Sequence, residues 1–481
     1  MNYDYDELDT LIDNAAREAA FAEYTHIDGW ILDQGDNYVR KVENYGESSS
    51  TQQIYLDGVA YSSTYLGGSQ GPWERDANLE SEFAGKVTSW RGKLDSALLG
   101  WDYIGEGTVF DDVIYACQVA VQKVAVRGGD ESSFPNPDLE KIGYIRKFIP
   151  DGRDAGATIS AFYDNYGPDR LETVLGGHCE AIACLGIALT GEKNLLDTCR
   201  QDTANLVGNV ATAFKDSRKQ QSVTEDFKTA LTIVTATAGL VGAFATGPAA
   251  AAFGALGASS SFLSTAVGLL PQDTADPVST AGGTPEDVYT AFQTALSTLE
   301  TKAESQDQGL CAMLTSMLGA VDDQLNRKVF HIEPGAGQAD IGDDIIDLQY
   351  STLEHIGYES MPTIARAFFE AADQIETSNQ QNVWFRPSKV GIGFYGSYHD
   401  WQSLAYRLTP LLNDTGAETV RAGEALAEAA GYFRDSDDWA KDKLGDNHTE
   451  LDDAELGWVG PYVPPPPTPP CGISGDHYCA V

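Results

Sequence analysis

The sequence predicts an all-α protein, an elongated helical bundle in which long helices flank an Ala/Gly-rich apolar hairpin. Apolar residues recur at helical spacing over two long stretches, one on each side of the centre of the chain. Between them, residues 229–272 contain no charged side chain. Two further helical patterns, at about 346–378 and 402–441, predict a C-terminal helix-loop-helix hairpin.

The two long stretches predict the two longest helices of the bundle. In the first, from Leu171 to Phe214, apolar positions continue for more than 40 residues without a proline, which is typical of a long bundle helix. The second begins at Thr284, which is followed by Pro285 and, three residues after the cap, by Asp287. A Thr cap with proline at the first helical position and an acidic residue at the third is a helix start signal.

The predicted domains follow one another along the chain. They are an N-terminal helix to residue 45 with a polar loop (1–72), a helical bundle containing the apolar hairpin 229–270 (73–330), a linker (331–345), a helical hairpin (346–444) and a Pro-rich tail with a Cys loop (445–481). The prolines of the tail favour polyproline II, which makes it a semi-rigid spacer.

The apolar hairpin is divided by a turn signal into halves of about 20 residues, the length that a bilayer-spanning helix needs. Small residues recur four apart, which lets helix backbones approach closely in lipid or in a dense core. Ala, Gly and Thr drive membrane insertion weakly. Three alternatives are therefore open for the hairpin. It is buried in the bundle, it resides stably in a membrane, or it is a membrane element that the bundle covers until a trigger releases it. The residues that define the hairpin are Gly239, Gly242, Gly247, Pro248, Gly254 and Gly257.

The charge balance restricts the partners. The chain has 72 acidic and 31 basic side chains and a formal net charge of −41. Phosphate backbones and anionic lipids attract Lys and Arg, so this balance argues against nucleic acid and anionic membranes. We expect a helical protein partner or self-association, with a membrane as a further candidate and no nucleic acid.

The termini and cysteines bear on location. The start of the chain is acidic and lacks the basic and apolar segments of a secretory signal peptide. Five of the seven cysteines fall in helical patterns, where buried free thiols are expected: Cys117, Cys179, Cys184, Cys199 and Cys311. The other two, Cys471 and Cys479, close a short loop after the prolines and predict a disulfide formed outside the reducing cytoplasm.

No catalytic or metal-binding pattern emerges. The run from Gly186 to Lys193 differs from a phosphate-binding loop because Glu192 stands where Lys must follow Gly. Cys179 and Cys184 do not share a helix face closely enough to ligate a metal together. The sequence predicts no enzyme activity, no catalytic residue, no cofactor and no metal.

Several segments resemble a known family. They are Trp90-Arg91-Gly92, the segment AFYDNYGPDRLETVLGGHCEAIACLGIALTGEKNLLDTCRQDTANLVGNVATAFKD, the hairpin after it and TVRAGEALAEAAGYFRDSDDWAKDKL. With these the chain resembles the long actinobacterial proteins related to the Trp-x-Gly (ESX) type VII secretion substrates.

This resemblance implies an all-helical protein that is exported without a cleaved signal. It also implies an export motif at Trp90, Gly92 and Tyr432. The family places Trp-x-Gly in the turn between two helices and follows its tyrosine, four residues on, with an acidic residue. Here Ser436 occupies that place, and Trp90-Arg91-Gly92 lies within a helical pattern, which predicts a Trp packed in the core.

Three functions are consistent with these observations. The first is a non-enzymatic, type VII secretion-related helical protein that acts through protein contacts at the cell envelope or outside the cell. The alternatives are a helical pore-forming or membrane-perturbing effector and a scaffold or assembly protein. We expect a secreted or envelope location without a cleaved signal peptide, with the cytoplasm as the alternative.

Overall fold

The structure is a computed structural model that describes residues 3–27, 31–33, 37–43, 49–55, 61–66, 77–126, 134–149, 157–217, 228–230, 243–246, 248, 261–270, 277–279, 284–332 and 350–446. Its helices are α1 Leu8–Ile27, α2 Ala77–Leu98, α3 Asp111–Val124, α4 Glu140–Phe148, α5 Ala157–Tyr166, α6 Pro168–Ser217, α7 Ser261–Val267, α8 Pro285–Asp322, α9 Arg327–Phe330, α10 Tyr350–His355, α11 Met361–Ser378 and α12 Tyr398–Asp446. Its strands are β1 Ile31–Asp33, β2 Asn37–Glu43, β3 Ser49–Tyr55, β4 Tyr61–Leu66, β5 Lys228–Ala230 and β6 Pro277–Ser279.

The predicted helical bundle is confirmed. Its longest helices, α6, α8 and α12, contain 50, 38 and 49 residues and coincide with the predicted long helical patterns. The start of α8 is the one predicted. The Thr284 hydroxyl accepts a hydrogen bond from the Asp287 amide at 3.2 Å, and the Asp287 carboxylate accepts one from the Thr284 amide at 3.1 Å. These two bonds satisfy backbone donors that a helix start leaves without partners.

The N-terminal region differs from the prediction. The helix expected to reach residue 45 ends at Ile27, and the expected polar loop contains strands. Strands β1 to β4 form an antiparallel sheet in chain order, with Tyr38 opposite Ile54. Tyr, Val, Ile and Thr fit the pleated surface of a strand, so these residues outweigh the polar character that favoured a loop. The short strands β5 and β6 pair antiparallel with each other.

The chain divides into two compact units, each built from several segments. Unit 1 comprises Met1–Gln122, Cys179–Gln324 and Asp373–Thr409, and unit 2 comprises Lys123–His178, Leu325–Ala372 and Pro410–Val481. The predicted domains ran in succession, with one boundary at a linker of residues 331–345, of which only 331 and 332 are described. The division differs because residues after α11 are bound by side chains of α6 and α8.

The core of unit 1 contains a group of aromatic rings that positions the chain between α11 and α12. The Trp384 ring lies 5.4 Å from Phe110, 5.4 Å from Tyr398 and 6.0 Å from Trp401, centroid to centroid. The Trp401 indole N–H donates to the Leu185 carbonyl at 3.1 Å. Both ends of the segment between Trp384 and Trp401 are therefore fixed in the core.

The core of unit 2 contains His178, which is completely buried. Its ring lies 5.8 Å from Phe368 and 6.4 Å from Phe330, and its Nε2 is 3.5 Å from the Thr415 hydroxyl. Burial lowers the pKa of His178 to about 3, since a charged imidazole loses its hydration there. The histidine is therefore neutral in the folded protein.

Candidate functional site

A buried cluster of three charged side chains lies inside unit 1. Glu192 of α6, Asp307 of α8 and Arg386, which follows α11, form this buried cluster. One Arg386 guanidinium nitrogen, Nη1, donates to Glu192 at 2.5 Å, and Nη2 donates to Asp307. All three side chains are at most 2% exposed. A buried arginine held by two carboxylates fixes the positions of the backbones that carry it and them.

The same carboxylates hold a loop. Residues 385–397, which we call the aromatic loop, place the Ile392 amide 2.5 Å from Asp307, to which it donates a hydrogen bond. The amide and hydroxyl of Ser397 donate to Glu192 at 3.1 and 2.6 Å. Two helices thus fix the loop at its start, middle and end.

Two glycines allow the loop to pass this close to the cluster. Gly391 has a φ of +82°, and a Cβ there would lie 2.1 Å from the Asp307 carboxylate. Gly396 has a φ of +50°, and its Cβ would lie 1.8 Å from the Arg386 guanidinium. Both the left-handed backbone and the lack of space require glycine.

The charges of the cluster balance if one carboxyl group is neutral. Burial, together with the nearby Glu192 carboxylate, raises the pKa of Asp307 to about 8, although Arg386 opposes this shift. The raised pKa favours a neutral Asp307, which leaves Glu192 as the negative charge opposite Arg386. The two carboxylates raise the pKa of Arg386 against the effect of its own burial.

The outer face of the aromatic loop is apolar. Phe385, Ile392, Phe394 and Tyr395, which we call the aromatic surface, are 40–58% exposed. The Phe385 and Phe394 rings are almost parallel, with centroids 6.1 Å apart, and Tyr395 lies 6.2 Å from Phe385 at a steep angle. Arg386 and Phe394 are linked by a backbone hydrogen bond of 3.1 Å, which keeps the two phenyl rings side by side. Exposed apolar groups held in fixed positions are typical of a contact surface.

A second segment of unit 1 lies beside this loop. Gly100 approaches Lys389 so closely that a Cβ would lie 2.8 Å from the lysine side chain, and Lys389 itself pairs with Glu300 at 2.8 Å. The segment exposes three more large apolar side chains, Leu99, Tyr103 and Val109. Exposed apolar side chains therefore also occur on the segment that approaches the aromatic loop.

The buried cluster is shielded from solvent, and most of its carboxyl oxygens bind the loop and the arginine. Both Glu192 oxygens and Oδ2 of Asp307 accept structural hydrogen bonds, whereas Oδ1 of Asp307 has no hydrogen-bond partner among the described residues. Within the described ranges, no group of three or more His, Cys, Asp or Glu side chains is arranged to hold a metal ion. The arrangement fixes a surface, and we assign no reaction to it.

The residues of the predicted export motif lie on helices. Trp90 is buried within α2, its ring 5.5 Å from Phe214, and its indole N–H donates to Glu23 at 2.8 Å. Gly92 lies on the exposed side of the same helix, not in a turn between helices. Tyr432 is exposed on α12. The helical position and core packing that the sequence predicts for Trp90 are therefore confirmed, and Trp-x-Gly does not lie here in the turn where the family has it.

Most of the predicted apolar hairpin lies outside the described residues, including Gly239, Gly242, Gly247, Gly254 and Gly257. The described parts pack on unit 1. Phe244 is fully buried and its ring occupies the space above Gly186, while the Gln118 amide donates to the Phe244 carbonyl at 2.9 Å. Glu180 accepts hydrogen bonds from the amides of Phe262 and Leu263 at 3.2 and 3.1 Å. Of the hairpin-defining residues, only Pro248 is described.

Among the described helices, one segment is long and apolar enough to cross a membrane. It is Ile159–Ser217, whose most apolar 18-residue window has a mean hydropathy of 1.4 and is 94% buried inside the protein. Core helices commonly have the same length and composition. The segment precedes the stretch that the sequence predicted as a membrane candidate.

The five helical cysteines are free thiols, as predicted, and four of them are buried while Cys311 is half-buried. Burial raises the pKa of Cys117 and Cys179 to about 12, so these thiols stay protonated and unreactive. The predicted disulfide of Cys471 and Cys479 lies outside the described residues.

The sequence analysis missed Asp307 and Arg386, and it treated Glu192 only as a departure from a nucleotide-binding loop. The sequence does contain a signal for the two acidic residues. Glu192 lies four residues before Leu196, and Asp307 three before Leu310, on the apolar stripes of two long helices. An acidic residue on an apolar stripe indicates a buried partner.

The comparisons with known proteins identify no relative of the chain. No protein-family model, no curated protein and no solved structure matches the chain. The fold and the site thus define a helical bundle protein with a fixed, exposed apolar surface.

Proposed function

We propose that this protein is a non-enzymatic interaction protein that acts through protein contacts made by the aromatic surface. The observation that carries the proposal is the burial of Glu192, Asp307 and Arg386 beneath the aromatic loop. Burying ionisable groups is costly, and here their hydrogen bonds and mutual attraction offset that cost. The same hydrogen bonds fix a loop whose outer face is apolar and exposed. A surface fixed before binding loses less conformational entropy when a partner binds.

The location remains that predicted from the sequence. We propose a secreted or envelope protein exported without a cleaved signal, as the resemblance to type VII secretion substrates implies. Intact mass of the protein from culture medium and envelope fractions tests this. Recovery from the cytoplasm alone, in cells with a working secretion system, would contradict it.

Site-specific photo-crosslinking tests the contact function. A photoreactive phenylalanine analogue replaces Phe394 in the full chain, and a matched variant carries it at Tyr358, an equally exposed aromatic residue of unit 2. We expect a discrete protein adduct at position 394 in the producing cells, and its loss when Phe385→Ser is added. Adducts equal at both positions, lipid adducts or none at position 394 would each contradict the proposal.

A further inference from the structure

The aromatic surface has the chemistry that binds proline-rich segments. Its two phenyl rings stand side by side, 6.1 Å apart and within 5° of parallel, with the Tyr395 ring set across them at 66°. Segments in the polyproline II conformation bind to exposed aromatic rings, against which the flat, rigid proline rings pack. The surface therefore favours a partner with closely spaced prolines.

The chain itself contains such a segment. Residues 461–470 read PYVPPPPTPP. A polyproline II helix has three residues per turn and rises about 3.1 Å per residue, so every third residue lies on the same edge. One edge of this segment is made only of prolines about 9 Å apart, and they are Pro461, Pro464, Pro467 and Pro470.

The charge pattern agrees with this partner. Residues 456–475 carry no charged side chain, in a chain whose net charge is −41. Two copies of so acidic a protein repel each other, and an uncharged tail adds nothing to that repulsion. The four residues of the aromatic surface are also uncharged, so neither side of the contact loses the hydration of an ion.

The loop is fixed before it meets a partner, because two helices hold it through the Ile392 and Ser397 amides. Proline fixes its own φ, so a sequence rich in proline has fewer conformations to lose on binding. Both effects reduce the conformational entropy lost on association.

We propose, on the basis of the proposed contact function, that the aromatic surface of one copy binds residues 461–470 of a second copy. The surface and the tail are different parts of the chain, so the contact is head-to-tail and each copy can bind two others. The mean mass of the protein then rises with its concentration. Added salt favours self-association, because it screens the repulsion between the acidic copies.

Sedimentation of two full-length variants tests the proposal. The surface variant carries Phe385→Ser and Phe394→Ser. The tail variant replaces the four prolines of the shared edge with alanine: Pro461→Ala, Pro464→Ala, Pro467→Ala and Pro470→Ala. We expect the mean mass of the wild type to rise with concentration and each variant alone to remain a monomer. An equimolar mixture should associate, because one variant keeps its tail and the other keeps its surface.

Three controls accompany the mixture. The variant Tyr358→Ser should associate like the wild type, because it changes an exposed aromatic residue of unit 2. A synthetic peptide of residues 460–470 should dissociate the wild type, and the same peptide with alanines for its prolines should do so at least about tenfold less well, a difference of about 1.4 kcal/mol. Circular dichroism checks that the surface variant folds, and Tyr395→Ser replaces it if it does not.

The negative outcomes are distinct. A mixture that stays monomeric, a tail variant that associates like the wild type, or a wild type that is monomeric at all concentrations would overturn the second-copy proposal. Adsorption of the wild type, but not of the surface variant, to phosphatidylcholine vesicles would assign the surface to lipid. If position 394 crosslinks to another protein while sedimentation is negative, the contact function stands and only the tail proposal fails.

Discussion

Arg386 donates a hydrogen bond to Asp307 in a pair of which the arginine side chain is 2% exposed and the carboxyl group is not exposed at all. The two residues are 79 positions apart. Because Asp307 also accepts the Ile392 amide, the pair connects helix α8 to the middle of the aromatic loop. The shape of an exposed surface thus depends on charges in the interior.

We expect Asp307→Asn to alter the pH dependence of stability. The folded pKa of about 8 exceeds the usual value of 3.8, so the stabilisation from the protonated carboxyl is fully present below pH 4 and is lost as the pH rises to 8. Asparagine is neutral throughout. The free energy of unfolding of the wild type should therefore fall relative to the variant by up to about 1.4 kcal/mol per pH unit in this window.

Chemical denaturation from pH 4 to 9 measures that difference. Asp322→Asn serves as control, since Asp322 pairs with Arg407 at the surface and should leave the pH dependence of the wild type nearly unchanged. A constant difference between wild type and Asp307→Asn across the range would show that Asp307 does not take up a proton on folding.

Gly391→Ala should destabilise the aromatic loop more than Gly393→Ala. Both glycines have positive φ, +82° and +61°, but only at Gly391 would a Cβ meet the Asp307 carboxylate. We expect losses of about 2–4 kcal/mol and about 1 kcal/mol in unfolding free energy. Equal losses would mean that backbone strain alone, without the close approach, requires glycine at position 391.

His178→Gln should make unit 2 less sensitive to acid. The folded pKa of about 3 lies below the ordinary value of 6.5, so the unfolded chain takes up the proton first and stability falls as the pH drops from 6.5 towards 3. The wild type should lose up to about 1.4 kcal/mol per pH unit relative to the variant. The variant itself should be about 1–3 kcal/mol less stable at pH 8, because its side chain loses the ring contacts.

Hydrogen exchange in unit 2, recorded as the pH is lowered, measures the difference in acid sensitivity between the wild type and His178→Gln. His355→Gln, at the half-exposed histidine of α10, is the matched control and should retain the acid response of the wild type. If both variants retain the acid response of the wild type, a group other than His178 determines the acid unfolding of unit 2.

Gly186→Ala should release the described part of the apolar hairpin. A Cβ at position 186 would lie 2.0 Å from the Phe244 ring, so the ring must leave its place. We expect a loss of about 1–3 kcal/mol and faster hydrogen exchange at residues 243–246. Gly176→Ala, on the same helix but with no atom near its Cβ, should be neutral or slightly stabilising.

The same pair of variants tests the membrane alternative. If the hairpin is sheathed until released, Gly186→Ala should cause more leakage from phosphatidylcholine vesicles than Gly176→Ala. Equal and low leakage from both, with exchange at residues 243–246 raised only in Gly186→Ala, would remove the support for a pore-forming function.

The helices were predictable because their signals are local. The capping box of Thr284 and Asp287 and the proline-free apolar stripe of α6 act within a few turns, and the structure has both. The strands were not predicted, because a sheet pairs residues that are far apart in sequence, such as Tyr38 and Ile54, and no local pattern specifies that pairing.

The site was predictable only in part, and for a different reason. Glu192 and Asp307 can be recognised as acids on apolar stripes, but nothing near Arg386 in sequence indicates that it is their partner. Likewise, Phe385 and Phe394 are nine residues apart in a segment that reads as an irregular loop. Their parallel stacking follows from the backbone bond between Arg386 and Phe394, which only the folded loop shows.

The hydrogen bonds from the aromatic loop to Glu192 and Asp307 have a consequence for recombination. The loop is a short continuous segment, yet its conformation is specified by residues on two helices far away in sequence. Grafted onto another scaffold or synthesised as a free peptide, it would carry its aromatic side chains but not their arrangement. Exchange of short gene segments therefore cannot transfer this surface, which is inherited only together with the bundle that holds it.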